Sequence, residues 1–248
     1  MRSTRLLASL ASAAIVITGC GSATDPPEVT ATTSRAVAPN GVEKLAAAGI
    51  VAKARKAVVQ TSAVRVKGDI TDSGQRIRFD MRLLADRGGT GTLMLQGGSV
   101  RITRIGRRVY MKGSAAFWTA TASSAAAKLF ADRWLKGSAS EPGMAPLIRF
   151  TDLDALMTDL FKDVPERVLR KGRARQIGGH RAITVTMTGP DGGLLYVALD
   201  GEPYPLRIQA RPGAREPGRV EFLDYDKRFV LRAPPASQTI DMSEFKSG

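Results

Sequence analysis

The side chains able to do chemistry in this sequence are few. Its 248 residues hold one thiol, Cys20, and one imidazole, His180. With no second histidine, and no thiol free of the role argued below for Cys20, a Cys–His dyad and a histidine-rich metal site are both excluded. His180 stands in Gly178-Gly179-His180-Arg181, a hairpin-turn sequence that predicts a solvated ring. The carboxylates Asp152, Asp154 and Asp159 fall on one short helical stretch, where capping and solvation account for them. No Gly-x-Ser-x-Gly elbow and no phosphate-binding Gly-x4-Gly-Lys-Ser/Thr loop occurs. Gly88-Gly89-Thr90-Gly91 lies between strand patterns and opens no helix, so it is not a nucleotide loop. No catalytic residue, metal ligand or cofactor is expected.

The thiol has a different chemistry open to it. Arg2 and Arg5 precede an apolar and small-residue run from Leu6 to Thr18, which ends in Ile17-Thr18-Gly19-Cys20. Charge, a short apolar segment and a small residue at the cut are the layout of an export signal. The run is about a dozen residues, and a spanning helix needs roughly twenty. Those last four residues resemble the lipobox of bacterial lipoproteins. There the cysteine sulfur receives a diacylglyceryl group, usually rich in palmitate, and the signal is cut just before it. The resemblance implies a signal peptide over residues 1–19 and a membrane-lipid anchor at Cys20. It places the protein in the bacterial cell envelope, on the outer face of the cytoplasmic membrane. Two acyl chains, at about 0.8 kcal/mol per buried methylene, hold a protein on a bilayer where one does not.

Residues 20–41 comprise the anchor and a Ser/Thr/Ala/Pro-rich stretch that has no means to bury a core, which predicts a disordered tether. Residues 42–248 are expected to form one domain. A formal charge of +14 suits anionic headgroups or an anionic wall polymer, or simply solvated strand faces. Nucleic acid is not an expected partner of an exported, anchored chain. Lys171-Gly172-Arg173-Ala174-Arg175 is the densest basic run, either a headgroup contact or a solvated face.

Two changes of hydrophobic period organise the domain. Leu45, Ile50, Val51, Ala54, Val58 and Val59 recur at helical spacing within 42–61. From Ala63 to Gly113 the pattern becomes alternation, cleanest at Gln75–Leu83, and turn sequences divide it into about five strands. Such alternation leaves one face wet, so the sheet should be antiparallel. Ser114–Trp134 reads as an alanine-rich helix, Ser138–Pro146 as a loop, and Thr151–Val164 as a second helix capped by Asp152 or Thr151. Strand alternation returns from Val168 to Leu231. The fold class is therefore α+β, with the two meanders reading as halves of one curved antiparallel sheet.

Four phrases of this pattern resemble the LolA-like and LppX/LprG-like superfamily of exported carriers. They are Val66-Lys67-Gly68, Val109-Tyr110-Met111-Lys112-Gly113, Leu199-Asp200-Gly201-Glu202-Pro203-Tyr204-Pro205-Leu206 and Val220-Glu221-Phe222-Leu223-Asp224-Tyr225. Ala233-Pro234-Pro235 fits the exit from the last strand. The resemblance covers roughly 42–241 and implies a half-open β-barrel whose concave face is plugged by helices. It also implies an apolar cavity that holds the acyl chains of a lipid or lipoprotein, with no catalytic residues.

The sequence has its own version of that cavity. Ile77, Phe79, Met81, Leu83, Leu93 and Leu95 would line it from the sheet. Phe117, Trp118, Leu156, Leu160 and Phe161 would close it from the helices. Small plug residues leave space, and a space lined by large apolar side chains stays dry enough for an acyl chain. Each of these residues equally suits plain core packing. The expected function is non-enzymatic binding or carriage of a lipid, glycolipid or other amphiphile. The alternative is an envelope interaction or signalling-accessory module whose closed core binds nothing, with a protein or wall polymer held on its surface.

Overall fold

The computed structural model describes residues 37–95, 97–141, 148–161 (side chains through Thr158), 168–189 and 192–243. Cys20, the export signal and most of the tether fall outside them, as do the side chains of Leu160 and Phe161. Residues 37–248 form a single unit.

Among the described residues the two meanders and two further strands make one sheet of twelve strands. The first supplies β1 (Ala63–Asp72), β2 (Gln75–Leu84), β3 (Gly88–Leu95), β4 (Gly98–Ile105) and β5 (Arg108–Gly113). The second supplies β7 (Leu169–Ile177), β8 (His180–Met187), β9 (Gly193–Ala198), β10 (Pro205–Ala210) and β11 (Gly218–Leu223). The halves are sewn together by β1 and β11, antiparallel from Arg65 opposite Leu223 to Ile70 opposite Gly218. Two strands escape the sequence reading. β6 (Trp134–Ser138) follows directly on the alanine-rich helices, and β12 (Thr239–Asp241) comes from the tail. β12 lies parallel to β6, the one parallel pair among the described strands of an otherwise antiparallel sheet. Both are too short to show a period, so alternation could not announce them. Lys136 clamps this edge, its ammonium 2.7 Å from the Asp241 carboxylate.

The sheet does not close, since its ends are β12 and β7. Its curvature is written into β3. A methyl group on Gly91 would collide with the Asp80 carbonyl oxygen of the neighbouring strand and stand 2.5 Å from Met81 Sδ. Backbones approach that closely on an inner face only where the sheet coils tightly, which is where a strand glycine has a use. β7 ends the sheet with Arg170, Lys171, Arg173 and Arg175, charges that blunt an exposed edge against pairing. A register shift between Lys171 and Ala174 breaks the simple alternation expected of that run.

Four helices are present among the described residues. α1 (Ala47–Val59) starts later than Val42, which opens a 3-10 turn instead, and buries Ile50, Val51, Ala54, Ala57 and Val58. The alanine-rich stretch is two short helices, α2 (Ala115–Thr121) and α3 (Ser124–Phe130). Ser114 and Ser123 cap them, accepting hydrogen bonds from the amides of Phe117 and Ala126. α4 (Leu153–Phe161) takes Asp152 as its cap, with the Ala155 amide 3.0 Å from the Asp152 Oδ1 acceptor. A single 3-10 turn, Arg149–Thr151, precedes it. The architecture is an α+β half-open barrel, the one implied by the LolA-like and LppX/LprG-like resemblance.

Candidate functional site

Alternation decides which side chains face inward. On β2, Ile77, Phe79, Met81 and Leu83 are buried, while Arg76, Arg78 and Arg82 between them are exposed. The registers carry that face sideways: Phe79 lies opposite Leu93, and Leu93 opposite Val100. Leu83, Leu93, Val100 and Ile102 are fully buried. Leu95 and Leu156 are half-buried and pack on the same cluster. From the helical side come Phe117 and Trp118, with ring centroids 5.2 Å apart, and Phe130, 5.7 Å from Trp118. The structure thus brings every described member of the sequence-derived cavity set into one apolar cluster between sheet and helices.

Phe79 joins its two walls. Its ring lies over Gly68 of β1, so that a methyl there would fall inside the ring, and it stands 5.3 Å from Phe150 in the 3-10 turn. The sequence predicted Phe79 but not Phe150, because three residues of 3-10 turn carry no period.

The helices are held to the sheet by a few polar pins. Arg104, at the inner end of β4, donates to Asp152 at 2.8 Å and to the Thr151 carbonyl at 3.2 Å. The Arg104 side chain is only 16% exposed, so this pair is screened far less than a surface one. Arg149 reaches Asp72 at 3.0 Å in the β1–β2 turn. Arg104→Ala is expected to cost about 1–3 kcal/mol, from the lost charged hydrogen bonds and a half-buried Asp152 left without its cation. Urea denaturation measures it. A change below about 0.5 kcal/mol, the level of an ordinary surface substitution, would mean that the pin holds nothing.

Two phrases that carry the family resemblance meet at one end of the sheet. Tyr204 and Tyr225 stack with centroids 3.9 Å apart and planes 5° from parallel. Tyr225 donates to the Pro205 carbonyl at 2.8 Å, and Tyr204 to Asp226 at 2.7 Å. Asp226 also accepts from the Ser62 amide at 2.7 Å and from the hydroxyls of Ser62 at 3.0 Å and Thr61 at 2.9 Å. Burial pushes the Asp226 carboxyl up, but these hydrogen bonds together outweigh it and bring it down to about 2. Burial, with Asp226 beside it, drives the Tyr204 phenol up to about 12, and burial raises Tyr225 as well. The sequence showed the phrases but not this carboxylate, which stands one residue past the second of them.

A depressed carboxyl stabilises the fold above its unfolded value of about 3.8 and stops doing so as pH falls through about 2. Asp226→Asn should therefore cost about 1–2 kcal/mol at neutral pH, discounted for exposure, and the gap should close between pH ~4 and ~2. Parallel melts of parent and variant across that range check it. A gap that persists at pH 2 would contradict the assignment.

The convex face is charged. Asp80 bridges Arg65 at 2.7 Å and Lys67 at 3.4 Å, and the Arg65 hydrogen bond holds its carboxyl below the usual range. A groove of about 370 Å³ runs beside them, with Asp69, Arg78, Thr92, Met94, Arg219 and Glu221 on its walls. Among the described residues no cluster of His, Cys, Asp and Glu could hold a metal, and no helix is long and apolar enough to cross a membrane.

No family model and no curated protein matches the chain. Solved structures similar to it include the lipoprotein LppX of Mycobacterium tuberculosis, at 14% identity over 75% of this chain and 99% of that one, TM-score 0.49. LprF of Mycobacterium bovis matches at 10% identity over 76% and 96%, TM-score 0.49. A LolA superfamily protein of Nitrosomonas europaea matches at 12% identity over 78% and 96%, TM-score 0.25.

Proposed function

We propose that this chain is an exported lipoprotein, anchored through a diacylglyceryl group on Cys20 to the outer face of the cytoplasmic membrane. It binds or carries a lipid, glycolipid or other amphiphile between sheet and helices and performs no catalysis. The observation that carries the reading is the way the concave face is roofed. Strands along that face are joined by continuous hydrogen-bond ladders. The roof over it is made of helices of 7 to 13 residues. Helices that short are marginal alone and stay in place by packing and a few polar pins. An acyl chain can enter by displacing roof from sheet, exchanging one set of apolar contacts for another.

Mass action does the rest. Acyl surface leaves water at about 25 cal/mol per Å², and the tether keeps the body near the bilayer that supplies the ligand. Ile77, Phe79, Met81, Leu83, Leu93 and Leu95 form the floor in this reading. Phe117, Trp118, Leu156, Leu160 and Phe161 form the roof.

Native mass spectrometry of the exported protein, purified without harsh detergent, tests it. The expected result is a non-covalent adduct that extracts into organic solvent and has the mass of a lipid. A clean unliganded mass, with no uptake of either anionic or neutral lipid, would refute carriage. A second reading, a surface module for a protein or wall polymer, rests on the convex groove, where Met94 is a large apolar side chain left 38% exposed among charges.

A further inference from the structure

The strand registers collect a set of turns at one end of the sheet. Ala63 pairs with Leu84, Leu84 with Gly88, Gly88 with Ile105 and Ile105 with Arg108. The β2–β3 and β4–β5 turns therefore lie at the same end as the α1–β1 corner. They are bonded to each other, the Gly106 amide donating to the Arg87 carbonyl at 2.9 Å. In the other half, Arg65 opposite Leu223, Pro205 opposite Val197 and Ala182 opposite Ala198 bring the β9–β10 and β7–β8 turns to that end too.

The N-terminal segment joins the body here. Pro39 bridges Asp200, the Asn40 amide donates to the Leu199 carbonyl at 2.9 Å, and the Gly201 amide to the Ala38 carbonyl at 2.9 Å. Residues 38–40, assigned by sequence to the tether, are thus fastened to the β9–β10 turn.

This rim is rich in free cations. Arg87, Arg107, Arg108, Arg175 and Arg228 are exposed and have no carboxylate partner among the described residues. Lys56 of α1 joins them beside Glu202, on a groove of about 390 Å³ that also touches Asn40 and Gly201. The carboxylates of the rim are in part engaged: Asp200 by Arg181, Asp224 by Lys227, and Asp226 by Tyr204. Asp86 and Glu202 remain exposed, and Glu141 accepts from the Ser138 amide. Val37 and Val59 stand 65% and 73% exposed where the N-terminal segment and α1 reach this end.

We infer that this rim is the face that docks on an anionic bilayer. The inference rests on the anchor proposed above. Sixteen residues separate Cys20 from Val37, and a random coil of that length spans about 20–25 Å on average. The point of attachment therefore spends its time within reach of the lipid surface, where unpaired arginines meet headgroup phosphates and the two valines meet the acyl boundary. The opposite end carries arginines too, Arg76 and Arg149 paired with Asp69 and Asp72 and Arg215 beside Glu216, so it is its distance from the attachment point that sets it apart.

The test uses the full chain carrying its own lipid, reconstituted into vesicles of mixed phosphatidylglycerol and phosphatidylcholine, or of phosphatidylcholine alone. One fluorophore is placed in turn at Gln176→Cys on the rim and Gln75→Cys at the far end, both exposed positions. A headgroup-linked quencher reads the proximity of each. Quenching at position 176 is expected to exceed that at 75 by about threefold on anionic vesicles. The ratio should fall toward one on phosphatidylcholine, and at about 1 M salt, where the screening length is about 3 Å. R87E/R107E/R175E should abolish the difference while keeping the parent's thermal melt, and the salt arm needs no variant. Equal quenching at both positions on anionic vesicles, or a ratio blind to salt, overturns the inference.

The intact mass of the same preparation shows whether Cys20 is acylated, so failure of the anchor is read separately. If it is not acylated, flotation of the chain with the two vesicle types still scores the rim. A preference for phosphatidylglycerol of about tenfold or more supports it, and no preference overturns it.

Discussion

Replacing Phe79 with alanine is expected to destabilise the protein by about 3–5 kcal/mol, the range for deleting a buried phenyl ring. Phe79 is 6% exposed, and its ring fills the space over Gly68 and meets Phe150 across the interior. No neighbour can collapse into that space without moving either the β1 backbone or the 3-10 turn that leads into α4. Phe79→Leu keeps most of the volume and should cost less than about half as much. Urea denaturation with an unchanged m-value would measure both. An alanine variant within about 1 kcal/mol of the parent would show that the ring is not the strut between sheet and roof, and would weaken the picture of a single shared interior.

Gly91→Val is the second large effect, and its cause is geometric rather than hydrophobic. The added carbons would overlap the Asp80 carbonyl oxygen and crowd Met81, with its Cα 2.8 Å from the new Cβ. A backbone carbonyl cannot swing aside as a side chain can, so β2 and β3 would have to separate or flatten. About 3 kcal/mol or more is expected, at the top of the range for overpacking and a large share of a domain's total of 5–15. Gly91→Ala should follow in the same direction with a smaller loss. A valine variant that melts with the parent would mean that β2 and β3 are free to part at Gly91.

These two positions also mark what the sequence did and did not make legible. The nine-residue alternation of Gln75–Leu83 announced β2, its buried face and Phe79, because a half-wet strand has no other way to pattern itself. The periodicity of Leu153, Leu156 and Met157 announced α4 and narrowed its cap to Asp152 or Thr151, of which the structure uses Asp152. Gly91 carried no such message. A glycine in a strand signals close approach of something, and only the fold says that the something is β2 at Met81 and the Asp80 carbonyl before it. The break at Ala122-Ser123 was hidden for a related reason: alanines favour helix throughout 114–131, and the interruption is made by Ser123 capping a second helix. β6 and β12 were hidden by brevity.

The site divides along the same line. The apolar residues of floor and roof were legible because burial imposes a period. The pins that fasten roof to floor were not, since Arg104 with Asp152 and Arg149 with Asp72 pair residues 48 and 77 positions apart in the chain. The basic rim was invisible for the same reason. Arg87, Arg107, Arg175 and Arg228 are scattered along the sequence and become one surface only when the strand registers bring their turns together. The run at 171–175, the densest basic stretch in the sequence, contributes mainly a charged sheet edge. One of its members, Lys171, is taken up in bonding the carbonyls of Glu43 and Leu45 at 3.1 and 3.0 Å.

The central claim is that an amphiphile's acyl chain occupies the space between the concave face and its helical roof. Photocrosslinking of the exported protein with a lipid bearing a diazirine on its acyl chain tests this most directly, with the adducts mapped by peptide mass spectrometry. The account predicts labels on inward residues such as Phe79, Leu93 and Trp118, suppressed by an excess of unlabelled lipid. Labels confined to the convex groove around Arg78 and Met94, or spread over the surface and indifferent to competition, would contradict it.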